Sequence, residues 1–128
     1  SKAIEMDFWS PHAFNNRGFI YNDLGYYEKA VEDLDRAIYV DGKFAFAFNN
    51  RGYAHVMLGN LEKGEEDILK SLSLNDKNAY AYRNLGICYF KKGDFEKAHD
   101  KLLQAASIDK NIEELKEYLK ECEVKMHS

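Results

Sequence analysis

The chain has 128 residues, 22 of them acidic and 18 basic, for a formal charge of −4 with both signs interspersed. The absence of a basic block removes the electrostatic footprint that phosphate-backbone binding requires, so nucleic acid is not an expected partner. With 45% hydrophobic and 14% aromatic residues the composition suits one folded domain rather than disorder, and its longest apolar run, Phe44 to Phe48, is far below the roughly 20 residues of a membrane-spanning helix. Two cysteines, Cys88 and Cys122, are too few for a disulfide framework and leave the compartment open.

The chain repeats itself every 34 residues. Gly18, Gly52 and Gly86 share that spacing, and so do Gly25, Gly59 and Gly93. Asn15-Asn16-Arg17-Gly18 is matched by Asn49-Asn50-Arg51-Gly52 and by Arg83-Asn84-Leu85-Gly86. In chain order, Ala3-Ile4-Glu5-Met6-Asp7 matches Ala37-Ile38-Tyr39-Val40-Asp41 one period on. Residues 1–10 are therefore read as the remnant of a preceding unit, cut from a longer array. Ile4, Met6, Phe8 and Trp9 then lack their neighbours and become candidates for homo-oligomer contacts.

Pro11 opens unit one, residues 11–44, whose apolar and small residues recur at helical spacing twice: Phe14, Gly18, Tyr21 and Leu24, then Ala30, Leu34, Ala37 and Ile38. This predicts helices near 12–24 and 28–40. Unit two, residues 45–78, repeats them near 46–58 and 62–74, and unit three, residues 79–112, near 80–92 and 96–108. Gly25, Gly59 and Gly93 sit where a left-handed cap closes the first helix, and Asn60 and Asp94 are expected to cap the second. From Ile112 onward, Leu115, Leu119, Cys122 and Met126 form one apolar stripe, which predicts a capping helix within residues 113–128. All of these segments form one domain.

Gly18, Gly52 and Gly86 fall inside helices, where glycine costs about 1 kcal/mol relative to alanine. Close approach of the partner helix accounts for them, with small residues facing: Ala30 and Ala37, Gly64 and Ser71, Ala98 and Ala105. Arg17 and Arg51 coincide with Asp33 and Asp67, whereas unit three has Leu85 with Lys101, so an ion pair is expected inside units one and two.

These residues resemble the tetratricopeptide repeat (TPR) family. Its pattern is met in unit three by Tyr82, Leu85-Gly86, Tyr89, Ala98, Leu102 and Ala105. Unit one departs at Arg17. Unit two has His55 for the tyrosine and Gly64 and Ser71 for the alanines, so its second helix is expected to be the least stable. The proline that commonly closes such a unit is replaced by Gly42, Asp76 and Lys110, which implies looser turns between units. The resemblance implies an all-α, right-handed α-solenoid of three TPR helix pairs with a C-terminal capping helix.

Catalytic and metal motifs are missing from the sequence. Gly59 and Gly64 have phosphate-loop spacing, but Glu65 stands where lysine is needed and no strand precedes them. Cys88 falls at a helix position shared with Ile20 and Ala54 and reads as a buried structural thiol. His55, in place of a core tyrosine, reads as a satisfied core histidine. Neither cofactor, metal nor catalytic residue is assigned, and an autonomous enzyme is not expected.

When such pairs stack, the first helices line a concave groove. Its candidate peptide-binding residues are Asn15, Asn16, Phe19 and Asn22 in unit one, Phe46, Asn49, Asn50, Tyr53 and Met57 in unit two, and Tyr80, Arg83, Asn84, Ile87, Phe90 and Lys91 in unit three. Asn16, Asn50 and Asn84 recur at one position. Their resemblance to the asparagine ladders of TPR superhelices implies amides that hold an extended peptide backbone, or alternatively amides that link neighbouring helices. The family's clamp for chaperone tails needs two lysines, an arginine and two asparagines where this chain has Asn15, Phe19, Asn50, Tyr80 and Asn84. Only Asn50 matches, so an acidic C-terminal carboxylate is not the implied ligand. The expected function is a non-catalytic protein-protein interaction module binding an extended or helical peptide, uncharged or hydrophobic, of a partner protein. The alternatives are self-association through the N-terminal end and service as the substrate-recruiting arm of a larger enzyme.

Overall fold

The computed structural model describes residues 10–128, and every regular element among them is helical. The helices are α1 (Pro11–Leu24), α2 (Tyr27–Val40), α3 (Ala45–Met57), α4 (Leu61–Leu74), α5 (Ala79–Lys92), α6 (Phe95–Ile108) and α7 (Leu115–Met126). The first six lie within one residue of their expected ends. Residues 1–9, which carry most of the expected remnant and all of Ile4, Met6, Phe8 and Trp9, lie outside the described residues.

Local chemistry explains the boundaries. Ser10 caps α1 by accepting a hydrogen bond from the Ala13 amide at 3.1 Å, with Pro11 at the first helical position. Gly25, Gly59 and Gly93 adopt φ of 83°, 88° and 86° and end the first helices. The following amide then bonds back into the helix, as Asn60 N does to His55 O at 2.8 Å. Asp94 caps α6 by accepting from the Lys97 amide at 3.2 Å, but Asn60 makes no capping bond, contrary to expectation. The reason is that the glycine turn alone sets the backbone. Residues 26, 60 and 94 all offer their carbonyls to the amide four residues on, whichever side chain they carry.

The turns between units also differ from expectation. Without proline, each is closed by a side-chain carbonyl or carboxylate oxygen: Asp41 accepts from Lys43 N at 3.0 Å, Asn75 from Lys77 N at 3.1 Å and Asp109 from Asn111 N at 3.0 Å. Asp or Asn at this repeated position folds the turn locally and takes over the role of the missing ring.

Within each unit the helices cross at the buried glycine. A Cβ on Gly18 would lie 2.6 Å from Leu34 Cγ, and one on Gly86 would lie 2.7 Å from Leu102 Cγ. The space is thus filled by a branched side chain of the partner helix as much as by small residues. In unit two the backbones themselves close up, since a Cβ on Gly52 and one on Gly64 would each lie 2.9 Å from the other's carbonyl oxygen. The expected ion pairs form: Arg17 grips Asp33 through Nε at 2.6 Å and Nη2 at 2.8 Å, and Arg51 grips Asp67 through the same two atoms at 2.8 Å each. Arg51 also reaches Asp35 of unit one at 3.0 Å, and Lys92 of α5 reaches Glu62 and Glu65 of α4 at 2.7 Å each.

The pairs share a core that runs from Val56 and Ile68 through Leu85, Cys88 and Leu102 to Ile112, Leu115 and Cys122, while Ala30, Leu34, Ala37 and Phe44 of unit one form a smaller one with Ala47 and Ala54 of unit two. Leu115, Leu119 and Cys122 lie 34 residues after Ala81, Leu85 and Cys88, so α7 takes the place of a first helix in a fourth unit.

Candidate functional site

α1, α3 and α5 touch one another in succession and α7 packs on α5 and α6, so the first helices form a continuous inner layer. The second helices meet the first helices on either side and form the outer layer. The inner layer carries the site residues expected from sequence.

Of those residues, Phe19, Phe46 and Tyr80 stand out at 57%, 51% and 48% exposure. Asn16 and Lys91 are exposed as well, and Asn50, Tyr53, Met57, Arg83 and Phe90 are half-buried. Asn15, Asn22, Asn49, Asn84 and Ile87 are buried, which removes them from a ligand's reach. The asparagines are buried because they bind one another across helices. Asn50 donates to Asn15 Oδ1 at 3.0 Å, Asn84 donates to Asn49 Oδ1 at 3.0 Å, and Asn22 donates to the Asn50 carbonyl at 2.9 Å. A buried amide left unpaired is costly, so these side chains stitch α1 to α3 and α3 to α5. The repeated asparagine is accordingly a helix-linking device, and of the expected ladder only Asn16 stays fully open.

Ile87 is part of the larger core. Phe90 is covered for a different reason: α7 lies against unit three as a following unit would, and Phe90 packs edge-on to Tyr118 of α7 and to Phe95 of α6, with ring centroids at 5.6 and 5.2 Å. The match of α7 to the 34-residue register was the signal that would have shown this.

Sequence reasoning also missed the setting of Arg83. Its guanidinium lies 5.2 Å from the Tyr80 ring and 5.8 Å from the Tyr53 ring, and it donates to Asn84 Oδ1 through Nε at 3.2 Å and Nη2 at 3.0 Å. Nη1 reaches the Glu113 carbonyl at 3.4 Å, tying α5 to the segment before α7. Tyr53 completes the surface from α3, its ring 6.2 Å from that of Tyr27. Burial, with Tyr27 close by, pushes its phenol up to about 12, so it stays a neutral hydroxyl that can donate. These inner-helix residues thus bring together aromatic surface, a cation close to two rings and neutral polar groups.

The remaining singled-out groups are structural. Cys88 is fully buried, burial pushes its thiol up to about 11, and its Sγ lies 3.4 Å from the Leu61 carbonyl, so it is no nucleophile. His55 is only half-buried, and its Nδ1 finds no hydrogen-bond partner among the described residues, unlike the satisfied histidine expected there. Among the described residues no cluster of three histidine, cysteine, aspartate or glutamate side chains is placed to hold a metal, and no helix is long and apolar enough to cross a membrane.

Comparison with known proteins places this geometry. A family model described as tetratricopeptide repeat matches residues 43–111, and another of the same description matches residues 11–44. Sequence comparison with curated proteins gives no significant match. Among solved structures, the first TPR of Spaghetti (RPAP3) bound to the HSP90 peptide SRMEEVD superposes with a TM-score of 0.83 at 20% identity, over 93% of this chain and 94% of that one. The Arabidopsis OM64 TPR domain gives 0.82 at 21% identity, over 90% and 95%. The second TPR domain of human RPAP3 in complex with the HSP70 peptide SGPTIEEVD gives 0.74 at 22%, over 89% and 98%. At such identities the similarity is one of fold. The 34-residue register, the helix pairs crossing at Gly18, Gly52 and Gly86, and the two family-model matches make this chain a member of the tetratricopeptide repeat family.

Proposed function

We propose that the chain is a non-catalytic protein-interaction module that binds a peptide segment of a partner protein in its concave groove. The observation that carries this reading is the row of Phe19, Phe46 and Tyr80, about half exposed on three successive inner helices while most other rings of the described residues are packed. Aromatic side chains aligned on a concave surface supply contact area at low entropic cost and typically mark an interface. TPR domains of the same fold that hold HSP90 and HSP70 peptides support a peptide as the kind of ligand. The buried asparagines shift the mode of recognition. With Asn15, Asn49 and Asn84 committed to inter-helix bonds, apolar side chains of the ligand carry the affinity and pairing with its backbone adds little. The test is a Phe46→Ala plus Tyr80→Ala variant, which is expected to fold as the wild type and to bind peptides selected on the wild type about tenfold more weakly or worse. Unchanged affinity would refute the groove as the site.

A second reading, self-association, is favoured by one observation. Ile20 is 55% exposed on the outward face of α1, whereas Ala54 and Cys88 at the same repeat position are fully buried by the preceding unit. Leu24, 60% exposed, lies one turn on. If this face docks a second chain, sedimentation is expected to show association that Ile20→Asp abolishes. A monomer at all concentrations would rule it out.

A further inference from the structure

Arg17 and Arg51 each hold a carboxylate, Asp33 and Asp67 respectively. Arg83 does not. Its hydrogen bonds go to the Asn84 amide oxygen and the Glu113 carbonyl, and no carboxylate of the described residues lies within 4 Å of it. A guanidinium has five N–H donors, and these bonds use three, so Nη1 and Nη2 each keep one donor. Free donors on a guanidinium are what a carboxylate accepts. The side chain is also pre-positioned, because Tyr80 and Tyr53 flank it at 5.2 and 5.8 Å and Asn84 holds Nε. A fixed guanidinium loses little entropy on receiving an anion. Lys91, exposed on the same helix two turns on, makes no ion pair among the described residues either. Glu114 belongs to the same neighbourhood, since its charge and that of Arg83 both act on Tyr53 and Tyr118, but it makes no ion pair with Arg83.

We propose that Arg83 is the carboxylate-receiving position of the groove, and that the partner segment carries an internal Asp or Glu side chain flanked by large apolar residues that cover Phe46, Tyr53 and Tyr80. The inference rests on the groove reading above and names the chemistry of its ligand. It replaces the uncharged ligand expected from sequence. The carboxylate is a side chain rather than a chain terminus because the ligand must also cover two rings near the guanidinium, Tyr80 of α5 and Tyr53 of α3. Covering both requires peptide on both sides of the acid.

The experiment pans a random 12-residue peptide library, displayed with its C-terminus fused to phage, on the full chain, and measures the selected peptides as C-terminal amides by calorimetry. Selected sequences are expected to carry Asp or Glu beside Leu, Ile, Met or Phe, and to lose about tenfold or more in affinity on Arg83→Gln. Raising salt is expected to weaken the wild-type complex and to affect the R83Q complex less. Arg83→Lys, which keeps the charge and loses the fork, is expected to fall between the two. Circular dichroism of each variant confirms that the fold is retained. Should R83Q unfold the chain, replacing the acid by Asn or Gln within the selected peptide measures the same contact with the protein intact, and the same loss is expected. Peptides that depend on Phe46 and Tyr80 but not on Arg83 or their own acid would overturn this proposal and leave the groove reading standing. Peptides indifferent to all three residues, or a library that yields no binder, would overturn both.

Discussion

At Gly52 an added Cβ would meet Ile68 Cγ1 at 2.6 Å and the Gly64 carbonyl at 2.9 Å, whereas at Gly18 it would meet only the Leu34 side chain. A side chain can turn away more cheaply than a backbone can move. Alanine also gains about 1 kcal/mol of helix propensity at either site. Gly52→Ala is therefore expected to destabilise by about 1–3 kcal/mol net and Gly18→Ala by less, as urea denaturation of both variants would show. These glycines were legible in the sequence because a costly residue repeated inside successive helices points to a close crossing of the partner helix. Glu114 was not legible. It takes φ of 65° just before α7, where a side chain is strained and glycine is not. Glu114→Gly is expected to stabilise by up to about 1 kcal/mol, read as a higher urea midpoint. The asparagines show the limit of residue-level reading. Their register put them on the inner helices, but the choice between facing a ligand and facing each other depends on a helix spacing that only the fold supplies.

Among the helices, α3 carries the chain's most visible departure from its repeat pattern. Units one and three have Tyr21 and Tyr89 where α3 has His55, whose Nδ1 is buried without a partner. Burial holds its folded pKa below the ordinary 6.5, with a smaller opposing contribution from Asp67 and a reinforcing one from Arg51. The unfolded chain therefore takes up the proton first. Stability is full above pH 6.5 and falls as pH drops from 6.5 toward the folded value. His55→Tyr is expected to flatten that fall, measured as the urea midpoint between about pH 7 and 5.5; an unchanged slope would assign it to other groups. The ends of the first six helices were legible to within a residue because glycine caps and apolar periodicity are local signals, whereas α7, expected within 113–128, is two residues shorter at each end. The turns between units were not, since attention to the missing proline hid the Asp and Asn at 41, 75 and 109 that close them.

The molecule as a whole is a stack whose units are unequally supported. Units two and three and α7 share the larger core, while α1 leaves Ile20 and Leu24 exposed. Amide exchange is accordingly expected to be fastest in α1 and α2, rather than in α4 as the weak repeat pattern of unit two suggests, and slowest in α5, as native-state hydrogen exchange would report. The architecture was legible because a 34-residue period constrains every unit at once. The ligand was less so, since neighbours of the same fold hold peptides ending in EEVD through residues that this chain need not share. SRMEEVD is expected to bind no better as the free acid than as its C-terminal amide, because four of the five clamp positions, Asn15, Phe19, Tyr80 and Asn84, carry other residues. The most direct test of the groove is an NMR titration of the chain with a peptide selected on it. The amide and aromatic signals of Phe19, Phe46, Tyr53 and Tyr80 on the inner helices are expected to shift while those of Tyr39 and Leu103 on the outer layer stay in place; shifts confined to the outer layer would contradict the groove.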